Sequence, residues 1–230
     1  MDWITFYDFK HSVIYVNARH RDVHYRTIAE DIRGYVPSPT ASVLDYGCGE
    51  ATSADLIAQA AGHLTMVEAA PNVRATLTQR YAGNPKISVL TPDEAAARPD
   101  GSFGLIVLHS VAQYLSSDEL DRLLATFHRL LKRDGLFVLG DIIPPRLAAP
   151  AAALSLLRFS AANGFFFAAV LGLMRIFVSD YLKLKSTVGL SQYDEAAMLE
   201  KLRRAGFAAE RAKRNIGHNQ WRMTFLCRLA

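Results

Sequence analysis

Cysteine is scarce in this 230-residue chain: Cys48 and Cys227 are the whole supply, too few for a disulfide framework or a Cys-rich zinc site. No apolar, cleavable segment opens the sequence, which predicts a cytoplasmic protein with two free thiols. No charge-free hydrophobic run is long enough to span a membrane. The apolar stretch from Phe159 to Met174 has 16 residues between Arg158 and Arg175, short of the ~20 that a membrane span needs. No basic segment interleaved with aromatics is present, so nucleic acid is disfavoured as a partner. No internal repeat is visible, and low complexity is confined to the Ala-rich patch at 148–153.

Half of the residues are apolar and 21% are charged, which suits one globular domain with room for an insertion. The net charge of +4 hides an asymmetry. Residues 1–145 carry 13 Lys and Arg against 17 Asp and Glu, a balance of −4, whereas residues 146–230 carry 13 against 5, a balance of +8. A basic C-terminal part suits an anionic lipid, an acidic substrate or a solvated face.

Residues 18–36 place Val23, Ile28, Ile32 and Val36 at helical spacing before Pro37-Ser-Pro39, which predicts an N-terminal helical cap. Strands predicted at 42–46, 64–68, 86–90, 104–109 and 135–140 are interleaved with helices at 53–61, 72–82 and 117–132. That order predicts a doubly wound, mostly parallel α/β sheet. Leu105 to Leu108 and Leu136 to Leu139 are unbroken apolar runs, as strands covered on both faces require. Ser116 to Glu119 reads as the cap of the 117–132 helix, with Asp134-Gly135 closing it. Beyond Pro144-Pro145, a long apolar stretch over 147–182 predicts a pair of amphipathic helices, packed on the sheet or lining a pocket. Its Phe165-Phe166-Phe167 cluster beside basic residues also suits lipid or a second copy of the chain. A helix at 193–205 and strands at 208–214 and 221–229 follow, the last two as an antiparallel hairpin. The expectation is one seven-stranded domain with a cap over 1–40, a core over 41–145, a helical insertion over 146–190 and a closing helix and strand pair over 191–230.

The most informative segment is Val43-Leu-Asp-Tyr-Gly-Cys-Gly-Glu50. A strand that runs into Gly47-x-Gly49 lets backbone approach a ligand where a Cβ would collide, and the next helix presents its free N–H groups there. Asp45 places a carboxylate where an ammonium or hydroxyl could be received, which argues against a bare phosphate cradle. A dinucleotide fingerprint would need glycine where Thr52 stands. With Glu68 ending the second strand and a strand pair at the C-terminal end, the chain resembles a class I S-adenosylmethionine-dependent methyltransferase. The motifs cover residues 42–141, and topology extends the resemblance to 193–229.

That resemblance implies a Rossmann-like fold and methyl transfer from S-adenosylmethionine, leaving S-adenosylhomocysteine. It implies cofactor contacts from Asp45, Gly47, Cys48 and Gly49 at the turn, from Glu68 and Ala69 at the ribose, and from Asp93 or Glu94 near the adenine. His109 would lie beside the methionine portion, and Tyr15 and Arg19 would be cap contacts. Two positions depart from the family pattern: Ala51 stands where a third glycine is common, and Gly104 replaces an acid before strand four.

Methyl transfer asks for alignment of the acceptor, and for a base where the acceptor carries a proton. His109, ending strand four, is open to both a cofactor contact and proton transfer; Gln113 and Tyr114 follow it. Asp141, ending strand five, is an acceptor contact or a turn residue. Tyr15 is the third candidate catalytic group. His20 and His24 are one helical turn apart, but no third metal ligand is evident, so no metal is expected. His11, His63, His128 and His218 read as surface or packing residues. The expected acceptor is a small, hydrophobic or amphiphilic molecule methylated on oxygen or nitrogen. The alternatives are a membrane-associated enzyme acting on lipid headgroups and a non-catalytic cofactor-binding partner protein. The apolar insertion is also a candidate homodimer surface.

Overall fold

A computed structural model describes residues 3–10, 15–145, 149–176 and 190–230. Its seven strands are β1 (Ser42–Tyr46), β2 (His63–Val67), β3 (Ile87–Leu90), β4 (Phe103–His109), β5 (Leu131–Ile142), β6 (Phe207–Arg211) and β7 (Met223–Leu229). They form one sheet in the order β3-β2-β1-β4-β5-β7-β6. The first five are parallel, and β7 runs antiparallel to both its neighbours. The strand order reverses beside β1, where connections leave in opposite directions and open a crevice at the C-terminal strand ends.

Alternating side chains feed two apolar layers. Val43, Leu105 and Val107 face α2 (Ala18–Arg33), α3 (Asp55–Ala60) and α4 (Pro71–Tyr81), where Ile32, Ile57 and Leu77 pack. Leu44, Ile106 and Leu108 face α6 (Ser117–Leu130) and α9 (Glu195–Arg204), with Phe127, Phe137 and Phe207 between them. Both faces are therefore dry, which is why the central strands carry no polar alternation.

Two short helices escape periodicity. In α1 (Trp3–Lys10), Asp8 accepts hydrogen bonds from Asn72 at 2.6 and 2.9 Å, which fastens the helix over the start of α4. In α5 (Pro92–Ala96), Thr91 and Glu94 form a reciprocal capping box around Pro92. The capping box of α6 matches expectation, with Ser116 and Glu119 each accepting from the other's backbone N–H. Its end does not: Leu131 is already extended and pairs with Phe103, so Asp134-Gly135 lies within β5 and does not close the helix. The apolar insertion forms α7 (Ala149–Ala162) and α8 (Phe166–Ile176). Its segments 146–148 and 177–189, like His11, lie outside the described residues. Phe165 is buried against His20 with ring centroids 5.1 Å apart, whereas Phe167 is 87% exposed, so the expected three-residue cluster is split. No described helix is long and apolar enough to cross a membrane.

Phe127 is fully enclosed against Tyr46 and Phe137, at centroid distances of 5.2 Å each. Phe127→Ala is expected to lower unfolding free energy by about 3–5 kcal/mol, read by urea denaturation; a loss below ~1 kcal/mol would contradict this packing.

Candidate active site

β1 delivers its last residues into a turn in which Gly47 and Gly49 adopt φ of +74° and +61°. Glycine is required at both positions for a second reason. A Cβ at residue 47 would lie 2.3 Å from Val111 Cγ2, and one at residue 49 would lie 2.6 Å from Tyr25 Oη. Ala51 has φ +37°, so it takes on the left-handed strain that glycine would relieve.

Glu68, just beyond β2, holds this turn. Its Oε2 accepts the Gly49 N–H at 3.0 Å and its Oε1 accepts the Ala70 N–H at 2.8 Å. Arg74 secures the same corner by donating to the carbonyls of Glu68 and Ala69 at 2.7 and 3.0 Å. Burial pushes the Glu68 carboxyl up, and these backbone N–H groups resist the shift. Asp45 is pushed up to about 7, by burial first and then by the neighbouring Glu68 charge. Two acids thus face one hollow of about 1020 Å³ at the C-terminal ends of β1, β2, β4 and β5.

The helices α1 and α2 cover that hollow. Tyr25 Oη accepts from the Glu50 N–H at 2.9 Å and from Tyr15 Oη at 3.0 Å, linking cap to turn. Burial raises the Tyr15 hydroxyl to about 12, so it keeps its proton near neutrality. Trp3 and Tyr7 pack on Tyr114, with a 2.9 Å hydrogen bond between the two tyrosine hydroxyls.

The opposite wall is built from the ends of β4 and β5. Ser110 and Asp141 adopt φ of +59° and +68°, an arrangement costing of order 1–3 kcal/mol for each non-glycine residue. Ser110 donates its hydroxyl to Asp141, and Arg222 pairs with the same carboxylate. Asn215 donates to the other Asp141 oxygen at 3.3 Å and accepts the Asp141 N–H at 3.1 Å. Arg222 and the Ser110 and Asn215 hydrogen bonds outweigh burial and hold the Asp141 carboxyl below its usual range. His109 lies beside them with its Nδ1 enclosed and lacking a hydrogen-bond partner. Burial lowers its pKa. His20 and His218 are lowered to about 4 and His24 to about 3, each chiefly by burial. Four neutral imidazoles therefore line the hollow. Among the described residues, no group of three His, Cys, Asp or Glu side chains could hold a metal ion.

Asp45, Gly47, Cys48, Gly49, Glu68, Ala69 and Asp93 all reach this hollow, as do Tyr15, His109 and Asp141. Two expectations need correction. Glu94 spends its carboxylate on the Thr91 backbone and hydroxyl at 2.8 and 3.0 Å and does not line the hollow. Arg19 donates to the Asn163 carbonyl, bracing α2 against the α7–α8 turn. Asp141, expected as an acceptor contact or a turn residue, lines the hollow but is also engaged by the Ser110, Asn215 and Arg222 side chains. Sequence reasoning missed Tyr25 as the wedge, Arg222 and Asn215 as partners of Asp141, and His218, which stacks on Phe159 at 4.4 Å. Of these only Tyr25 carried a signal, its place in the N-terminal segment with Tyr7, Tyr15, His20 and His24.

Comparison with curated proteins by sequence finds no match. A family profile described as a methyltransferase domain matches residues 44–139, from β1 through most of β5. Among solved structures, the fold is similar to that of magnesium protoporphyrin IX methyltransferase from Synechocystis with bound S-adenosylhomocysteine, at 16% identity and a TM-score of 0.59, covering 92% of this chain and 88% of that one. It is also similar to YcgJ protein from Bacillus subtilis, at 16% identity and a TM-score of 0.58, covering 83% and 71%. A phosphoethanolamine N-methyltransferase from Haemonchus contortus, in complex with phosphoethanolamine and S-adenosylhomocysteine, gives 21% identity and a TM-score of 0.52. There 64% of this chain overlies 33% of that one, so this chain spans about a third of that protein.

The turn makes a paired prediction. Gly49→Ala should destabilise by about 1–2 kcal/mol or more while displacing Tyr25, and Ala51→Gly should be neutral or stabilising by up to ~1 kcal/mol. Gly83→Ala, where an added Cβ meets nothing within 4 Å, is the control. Thermal unfolding of the three variants checks the ranking, and equal effects at 49 and 83 would refute it.

Proposed function

We propose that this chain is a class I S-adenosylmethionine-dependent methyltransferase, a reading supported by the methyltransferase-domain match at residues 44–139 and by the fold, and that it methylates oxygen or nitrogen on a small hydrophobic or amphiphilic acceptor. The observation that carries this reading is the hollow itself. Its volume of about 1020 Å³ stands at the top of the roughly 300–1,000 Å³ typical of ligand sites, large enough for cofactor and acceptor together. The donor set suits a cationic cofactor: Asp45 and Glu68 supply negative charge beside a turn whose backbone leaves close approach open.

When bound, S-adenosylmethionine supplies a methyl group already activated on a sulfonium. Asp45 and the Gly47–Gly49 backbone would hold its methionine part, Glu68 and Ala69 the ribose, and Asp93 the adenine edge. His109 is the proposed base: its lowered pKa keeps the imidazole unprotonated at neutral pH and ready to take an acceptor proton. Asp141 holds the adjoining wall and Tyr15 closes the cap. The neutral imidazoles and tyrosines opposite Asp45 favour an acceptor with an apolar body and few charges near the reacting atom. The insertion over 146–190 contributes Ala152 and Leu156 to this wall and is the proposed determinant of acceptor choice. On this reading the enzyme works in the cytoplasm.

A second reading, action at a membrane surface on lipid headgroups, is favoured by one observation. Phe167, Leu171 and Met174, at 87%, 49% and 65% exposure, share one face of α8 beside a basic C-terminal region. Pelleting with phosphatidylglycerol vesicles at low salt, lost in Phe167→Ser/Met174→Ser, would support it. Retention in the supernatant would end it, and self-association without pelleting would assign the face to a homodimer.

Calorimetry with S-adenosylmethionine tests the main reading. Glu68→Ala should abolish measurable binding. Below pH of about 7 the Asp45 carboxyl carries its proton and must release it to meet a cation. Affinity should therefore fall by up to about tenfold for each pH unit below that point and level off above it. Asp45→Asn should bind weakly at every pH, without the slope. A wild-type chain that binds no cofactor, or one with a pH-independent affinity, would contradict the assignment. Non-catalytic binding predicts tight cofactor affinity but no methylated product when extracts are incubated with labelled cofactor.

A further inference from the structure

Beside the large hollow lies a second one of about 340 Å³, between α2, α7 and the loop from β6 to β7. Arg158 from α7 and Arg214 from the loop both line it, together with Thr27, Gln220, Trp221 and His218. None of its described lining residues is acidic, and neither arginine forms an ion pair with a described residue. Two guanidiniums around one concavity repel each other, and each presents a planar fork that matches a carboxylate or phosphate.

The loop that presents this wall is built independently of any ligand. Gln220 accepts the Asn215 N–H at 3.0 Å and donates to the carbonyls of Asn215 and Gly217 at 3.0 and 2.7 Å. Asp31 of α2 accepts the Gly217 N–H at 2.8 Å, and Ser155 of α7 donates to the His218 carbonyl at 3.3 Å. A loop held on both sides and by its own side chain loses little freedom when it binds, and preorganisation of this kind favours affinity. Thr27 donates to Val23, Ser155 to the His218 carbonyl, and Gln220 serves the loop. The guanidiniums are the cationic groups the hollow offers to a ligand.

Gly217 and His218 line both hollows. The His218 ring lies flat on Phe159, interplanar angle 14°. The two hollows therefore share a wall at Gly217 and His218, which sets the arginines next to the imidazole side of the larger one. We propose that Arg158 and Arg214 bind the anionic group, a phosphate or carboxylate, of the methyl acceptor, which makes that acceptor an amphiphilic anion. This rests on the methyltransferase reading for the word acceptor, whereas the anion site stands on its own residues.

Trp221 is 55% exposed at the mouth of this hollow and Trp3 is 7% exposed elsewhere, so tryptophan emission reports on the site. Wild-type protein titrated with inorganic phosphate should give a saturable change in emission that Trp221→Phe removes. Arg158→Gln and Arg214→Gln should each weaken phosphate binding at least tenfold, with circular dichroism and melting temperature unchanged. A parallel titration with monomeric dihexanoyl phosphatidic acid assigns the source. Affinity at least tenfold above that for phosphate identifies a lipid phosphate, and equal affinity identifies a free anion; both support the site. No saturable response, or one that neither arginine variant weakens, overturns the proposal. S-adenosylhomocysteine titration of the same proteins separates the two readings. Cofactor binding without an arginine-dependent phosphate response ends the anion site alone. Phosphate binding without cofactor binding keeps the anion site and ends the methyltransferase reading.

Discussion

The Glu68 carboxylate is the constraint from which the site follows. One of its oxygens accepts the Gly49 N–H and the other the Ala70 N–H, so a single buried acid ties the exit of β2 to the turn that leaves β1. The parallel register that sets Tyr46 opposite Val67 brings those two exits side by side. A buried carboxylate is costly unless its oxygens are satisfied, and here the backbone of the neighbouring loop satisfies them. Burial first, and then the same acid's charge, raises Asp45 beside it. The glycine turn is thus more than a gap in the backbone; it is an acidic corner whose second acid is held near its titration point.

Across the hollow the electrostatics are reversed. Asp141 is surrounded by donors and stays charged, while the imidazoles of His20, His24, His109 and His218 are kept neutral by burial. The cavity has an acidic end at Asp45 and Glu68 and, across it, an Asp141–Arg222 ion pair flanked by neutral imidazoles. Left-handed backbone at Ser110 and Asp141 turns two adjacent strand ends so that their side chains meet. Strain of this kind persists only where its surroundings hold it, and Arg222 and Asn215 supply that hold from the other end of the sequence.

What was legible in the sequence was local. The strand, acid and glycines of Val43 to Gly49, the acid at Glu68 and the capping box at Ser116 depend on residues within a few positions of one another, and each is found where the spacing put it. The central strands were legible because both faces are dry. Contacts between distant segments were not. Nothing near Arg222 marks it as the partner of Asp141, 81 positions away, and His218 looks ordinary until α7 brings Phe159 under it. Glu94 misled because one carboxylate can serve a cofactor or a helix cap, and Thr91 three residues earlier decides the matter. Arg19 was placed on the correct helix, but a helix has more than one face, and the turn after α7 claims the one that carries Arg19. The Phe165 to Phe167 run could not be divided into buried and exposed members without knowing how α8 lies on its neighbours.

The position of β7 bears on how the molecule is made. Residues 223–229 occupy the place between β5 and β6, so β6 has no partner, and β5 only one, until the ribosome has produced β7. Arg222 immediately precedes it. Until then the Asp141 carboxylate lacks its guanidinium partner, and the wall it supports has no reason to keep its strained backbone. Order of synthesis and order of assembly therefore diverge: the glycine corner can form early, from neighbouring segments, while the opposite wall waits for translation to reach residue 222. A stalled or shortened chain of this topology would own half a site and an unpaired sheet edge, which is where association with other chains begins.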